Sequence, residues 1–191
     1  MAEPAAPAPV PAAGPPPPGP DTGAGTEALD ALRLAAVLRL TGGSGGPAAP
    51  LFVLEAAADG DRPLAAALAR CGLRVDTVDA SDTADTADGA GVRRLPGGPA
   101  ACRSPWLYDL VLCGENACRA ADGPVRPEPA VRLARLVRLT GALLLPGTGP
   151  GGPAASACRA LLEPLGMRYR EFAPYGFPGT GTGFHVLTRS G

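Results

Sequence analysis

The chain has 191 residues, 46% hydrophobic and 18% charged, with 24 Pro and 27 Gly and a formal charge of -1. This balance excludes an electrostatic case for nucleic acid as the main partner, and no apolar run reaches the roughly 18 residues of a membrane span. All seventeen basic residues are Arg, so no lysine chemistry is available.

The first 25 residues, "MAEPAAPAPVPAAGPPPPGPDTGAG", lack large apolar side chains except Met1 and Val10. They cannot repay the entropy of ordering and are predicted to form a disordered, partly polyproline II tail, a possible ligand for a groove-binding protein partner. No basic and apolar leader precedes a cleavage site, so the expectation is a soluble, cytoplasmic protein. Residues 26–191 then form one α/β domain, large enough for a sizeable core.

A helix is predicted from Thr26, which can cap it, to Leu40, with Leu29, Leu32, Ala36 and Leu40 at helical spacing and Gly42-Gly43 ending it. "LFVLE" (51–55) reads as a strand buried on both faces. Asp61 is placed as the cap of the next helix, with Leu64, Ala67, Leu68 and Cys71 on one face and Gly72 closing it. "LRVDTVDAS" (73–81) is a second strand, and "GVRRL" (91–95) a weak third. "LYDLVLCGEN" (107–116) is a clear strand with polar residues after it. A helix over 127–139, a strand over 141–147 and a helix over 153–166 follow. "MRYREFA" (167–173) and "GFHVLTR" (183–189) alternate without a helix between them and are predicted to pair antiparallel.

This order resembles the class I S-adenosylmethionine (SAM) dependent methyltransferase superfamily. "VLEAAADGD" is similar to its first motif, "RVDTVDAS" to its second strand with a terminal acid, and "YDLVLCGEN" to its fourth. "LARLVRLTGALLLPG" is similar to the helix and fifth strand. The resemblance implies a three-layer Rossmann-like sandwich with a mainly parallel seven-stranded sheet ending in an antiparallel β-hairpin. It implies SAM as cofactor at the carboxyl ends of the first strands. Glu55 then orders the first loop or meets the cofactor's ammonium, and Asp79 takes both ribose hydroxyls. Ala57, Asp59, Gly60 and Ser81 border the cofactor, and Cys113 and Gly114 lie beneath the methyl donor or acceptor. The family's glycines are replaced at Ala57, Asp59 and Asp61, leaving Gly60 out of phase. A backbone that must approach a ligand closely, or take positive φ, is hindered by a Cβ.

No catalytic base stands out; Glu115 and Asn116 are the candidates for orienting a nucleophile, against an ordinary role as loop polars. Two readings stay open: a methyltransferase acting on a small-molecule or protein acceptor, and a catalytically inactive methyltransferase-like scaffold. "GTGPGG" (147–152) offers a third, NAD(P) binding, by its fit to G-x-G-x-x-G. The five cysteines, odd in number and without C-x-x-C spacing, read as buried thiols rather than a zinc site or disulfide framework, and no metal is expected. His185 reads as structural, Arg132, Arg135 and Arg138 as a stripe on one helix, and Tyr175 and Phe177 as a lid or as rings tucked onto the sheet.

Overall fold

The computed structural model describes residues 22–42, 51–58, 63–79, 91–118, 126–150, 153–175 and 182–190. Most of the Pro/Ala-rich stretch 1–25 lies outside these residues. The elements are α1 (Thr22–Gly42), β1 (Phe52–Ala57), α2 (Ala65–Arg70), β2 (Arg74–Asp79), β3 (Val92–Leu95), β4 (Tyr108–Cys113), α3 (Glu115–Cys118), α4 (Pro127–Arg135), β5 (Val137–Thr148), α5 (Pro153–Leu162), β6 (Met167–Pro174) and β7 (Thr182–Arg189).

One seven-stranded sheet has the order β3-β2-β1-β4-β5-β7-β6. Strands β1 to β5 pair in parallel, and β7 runs antiparallel to both β5 and β6. This is the sandwich closed by a hairpin that the apolar runs imply. Strand period decides which side chain goes where. Val53, Val75, Leu110, Leu112 and Leu144 pack with α1 and α2 on one face. Leu54, Ala56, Val78, Val111, Cys113 and Leu143 pack with α3, α4 and α5 on the other. Among the described residues no helix is long and apolar enough to cross a membrane.

Several boundaries differ from expectation. Helix α1 begins at Thr22, within the stretch 1–25, and Thr26 is inside the helix rather than at its cap. Its buried face is Arg33, Ala36 and Val37, whereas Leu29 is exposed. The helix expected over 127–139 stops at Arg135, and β5 starts at Val137. Sheet pairing overrides the helical pattern there: the Tyr108 amide donates to the Leu136 carbonyl at 2.8 Å, and Val137 pairs with Tyr108. The strand then bulges, with Thr140 at φ 68 and Gly141 so close that a Cβ would lie 2.9 Å from the carbonyls of Tyr108 and Asp109. Arg138 therefore belongs to β5, where it is ion-paired with Asp109.

The same register shift turns Tyr108 toward the α3–α5 face. Its hydroxyl donates to Oδ2 of Asp76 at 2.6 Å and sits 2.8 Å from the Ser104 hydroxyl. Arg93 of β3 completes the cluster, its Nε donating to Asp76 Oδ1 at 3.0 Å. A buried carboxylate is stable only when its acceptors are used in this way. Burial first, and then the bond to Asp76, push the Tyr108 phenol well above its ordinary value. The unfolded chain consequently loses this proton at lower pH than the native state does. The phenol's contribution is thus complete below about pH 10, the value of an unfolded tyrosine, and declines above it. Tyr108→Phe is expected to cost about 1–2 kcal/mol at neutral pH. It should also flatten the alkaline fall in stability, checked by urea unfolding at pH 7 and above pH 10.

Candidate functional site

The chain leaves β1 toward β2 and β3 on one side and returns to β4 on the other, so the crevice at the carboxyl edge opens between β1 and β4. In register there, Ala57 stands beside Asp79 and Ala56 beside Cys113. The Gly114 amide donates to the Ala56 carbonyl at 2.7 Å. Ala57, Asp79, Cys113 and Gly114 are thus brought to one edge. Glu115 opens α3 and Asn116 is exposed in it. Asp59, Gly60 and Ser81 lie outside the described residues, as does Asp61.

Glu55 is 2% exposed and points from β1 at the start of α2. Its Oε1 accepts from the Leu64 amide and its Oε2 from the Ala65 amide, both at 2.7 Å. The N-cap residue itself, Leu64, makes no side-chain cap bond. Glu55, nine residues before Leu64 in the chain, therefore meets the helix start, whereas the expected cap, Asp61, lies outside the described residues. Two charge-assisted bonds at a helix start also meet the positive end of its dipole. On that helix Leu64, Ala65 and Leu68 are buried, while Cys71 is exposed rather than part of the buried face.

Two clefts flank the edge and share Ala58. The first, of about 260 Å³, is lined by residues that include Glu55, Ala57, Thr77, Asp79 and Arg94. Asp79 faces Arg94 of β3, Oδ2 to Nη2 3.8 Å, with side chains 34% and 30% exposed. A pair this open contributes at most about 1 kcal/mol. Arg94 is a site residue the sequence reading missed. The signal was present: β2 carries acids at 76 and 79, and β3 carries adjacent arginines that alternation sends to opposite faces. Ala57 is extended in the β1–β2 ladder, and Thr140 is the single non-glycine with positive φ among the described residues. Ala57 therefore does not need the conformation that only glycine takes cheaply.

The second cleft, of about 460 Å³, lies on the opposite face between Ala58, the turn 98–101, Asn116 and Ala117 of α3, and the start of α4 at 126–129. Beneath it Cys113 and Cys118 form a disulfide, with Cα atoms 6.3 Å apart. This corrects the reading of the cysteines as thiols for these two residues. The pairing is close in sequence yet depends on α3 turning the chain back over β4, which no spacing rule encodes. Cys102 and Cys158 are buried thiols, and burial pushes the Cys102 thiol up. Among the described residues no cluster of His, Cys, Asp or Glu could hold a metal ion.

The remaining motifs have packing roles. His185 is fully buried in β7, with Nδ1 3.3 Å from the Tyr169 hydroxyl and its ring 5.2 Å from that of Phe172. Gly147, the first glycine of "GTGPGG", lies in the β5–β7 ladder against this ring; a Cβ there would be 2.1 Å from Nε2. Its glycine serves the close approach of a histidine. The connection through α5 leads to β6, and β7 is inserted between β5 and β6, so the adjacent parallel strands of a dinucleotide unit are not formed at this loop. The arginine stripe is dispersed: Arg132 Nε donates to the Cys102 carbonyl at 2.7 Å, Arg135 is exposed, and Arg138 is on β5. Tyr175 is buried with its ring 4.6 Å from Phe184, tucked onto the sheet; Phe177 lies outside the described residues.

Comparison with protein-family models gives no match, and comparison with curated protein sequences gives none either. Solved structures do match. A Burkholderia thailandensis 1,6-didemethyltoxoflavin-N1-methyltransferase with bound S-adenosylhomocysteine is 17% identical, over 87% of this chain and 79% of that one, with a TM-score of 0.59. The magnesium protoporphyrin IX methyltransferase of Synechocystis with bound SAH is 15% identical, over 85% and 83%, at 0.60. The N-methyltransferase NodS of Bradyrhizobium japonicum is 12% identical, over 90% and 99%, at 0.55. The chain has the class I SAM-dependent methyltransferase fold.

Glu55→Ala removes both acceptors from the start of α2 and is expected to cost about 3 kcal/mol, lowering the melting temperature by roughly 10 °C for a domain of this size, as calorimetry will register. Gly147→Ala, which drives a methyl group into His185, is expected to cost about 2 kcal/mol or more. If its denaturation midpoint matches that of the parent, the packing role given to this glycine is wrong.

Proposed function

We propose that the chain binds SAM along the carboxyl edge of β1, β2 and β4 and transfers its methyl group to an acceptor. The observation that carries this reading is the carboxylate of Asp79 at the end of β2, lining a cleft beside the β1–β4 crevice, in a fold whose solved examples include complexes with SAM or its demethylated product SAH. The residues present fit such a ligand. Asp79 offers two acceptor oxygens to a ribose diol, and Ala57 sits in ordinary extended backbone beside it. Glu55 holds the far end of the first loop through α2. When bound, SAM supplies a methyl group already activated by its sulfonium. The protein's task is then positioning and exclusion of water, which alone contribute much of the rate in such transfers. Asn116, exposed on the second cleft, is placed to orient an acceptor's nucleophilic atom, and Glu115 is its neighbour at the start of α3.

The second reading, a methyltransferase-like domain that acts as a scaffold or partner subunit, is supported by the Asp79–Arg94 ion pair and by the replaced glycines of the first loop. Calorimetric titration separates the two. Saturable heat with both SAM and SAH is expected. Its absence at millimolar ligand, on protein shown to be folded, would overturn the enzyme reading. Asp79→Ala is expected to weaken SAH binding by about 10- to 100-fold, the loss of two hydrogen bonds to a charged group.

A further inference from the structure

The Cys113–Cys118 disulfide ties the end of a central strand to the end of a four-residue helix. Cys113 is fixed: β4 lies between β1 and β5 in the sheet, and its last residue is in register with Ala56. Cys118 ends a helix too short to hold itself together by propagation. Its carbonyl accepts from the Arg126 amide at 2.7 Å. Between the two cysteines stand Asn116 and Ala117, which line the second cleft. The cross-link therefore fastens one wall of that cleft to the sheet. Disulfides persist in oxidising surroundings, and in reducing ones a pair of this kind responds to the thiol pool.

We propose that Cys113 and Cys118 are a thiol–disulfide exchange site whose redox state sets the order of the α3 wall of the second cleft. Local opening of α3 exposes the sulfur of Cys118. A thiolate from a small thiol or dithiol reductant attacks that sulfur, forms a mixed disulfide and releases the Cys113 thiolate, which takes a proton. A second thiol of the reductant then displaces Cys118. The balance is one protein disulfide and two thiols converted to two protein thiols and one reductant disulfide. With the bond broken, residues 114–118 lose their covalent tether, and a ligand touching this wall must order it on binding.

Thiol alkylation in denaturant without reductant tests the first part. Three cysteines are expected to react, two more after dithiothreitol, and peptide mapping should place the cross-link between 113 and 118. Five reactive thiols at the outset, or a different pairing, overturn the proposal. Amide hydrogen exchange tests the second part: reduction should speed exchange over 114–118 by tenfold or more while leaving β1 and β2 unchanged. Equal exchange in both states means the bond orders nothing and refutes it. The effect on a ligand rests on the SAM reading. SAH affinity should fall about tenfold on reduction and in Cys118→Ser, and remain at the parent value in Cys71→Ser, a change at the exposed end of α2. Unchanged affinity on reduction, with SAH bound, removes the link to the cleft. No SAH heat in either state defeats the cofactor reading alone, because alkylation and exchange still decide the tether.

Discussion

A carboxylate buried inside a parallel strand has to find donors, and Glu55 finds them in the first two amides of α2. Its two bonds fasten the start of α2 to β1. Ala57, held in the ladder beside Asp79, and Ala58 after it border the clefts on either face of the sheet. The helix in turn gains a cap that its own N-cap residue does not supply. Leu64 and Leu68 are thereby delivered into the core formed with Val53, Val75 and Leu110. Strand and helix are coupled through one side chain.

A second pattern shows how depth changes the meaning of the same chemistry. Strands β2 and β3 face each other with two acids and two arginines. Asp76 is 6% exposed and is met by Arg93 and the Tyr108 hydroxyl together, because a carboxylate at that depth is costly with one partner missing. Asp79, three residues on at the open edge, has Arg94 at 3.8 Å and remains one-third exposed. The inner pair is architecture. The outer pair is an open one at the edge of the sheet, where solvent screens it.

The fold was legible where burial leaves a simple pattern. "LFVLE", "LYDLVLC" and "GALLLPG" are short apolar runs between breakers, and the alternating "MRYREFA" and "GFHVLTR" announce the terminal hairpin. The α4–β5 junction was not legible, since "VRLARLVRLTG" satisfies helical and strand periods alike; the choice is made by Tyr108 on the neighbouring strand. The part of Glu55 at the start of α2 was not legible for a related reason. Asp61 is the local candidate that sequence rules favour, whereas the donors are taken by an acid on another element. The disulfide was illegible because its two cysteines meet through the turn of α3, whereas the acids of β2 and the arginines of β3 did signal Arg94, although its partner could be named only once the pairing of the two strands was known.

The lost glycines of the first motif bear on function through geometry more than through their number. Side chains alternate along β1, so Ala57 shares the face of Glu55 and lines the first cleft, while the second cleft is bordered by Ala58. A methyl group at 57 thus does not narrow the larger cleft, and extended backbone at this position imposes no left-handed conformation. What a glycine would have added here is only the volume of one methyl in the smaller cleft. The first replaced glycine is therefore no obstacle to a nucleoside beside Asp79. In the SAM reading proposed above, the energetic question moves from the loop's composition to how the Asp79 carboxylate, ion-paired with Arg94, accommodates a ligand's hydroxyls.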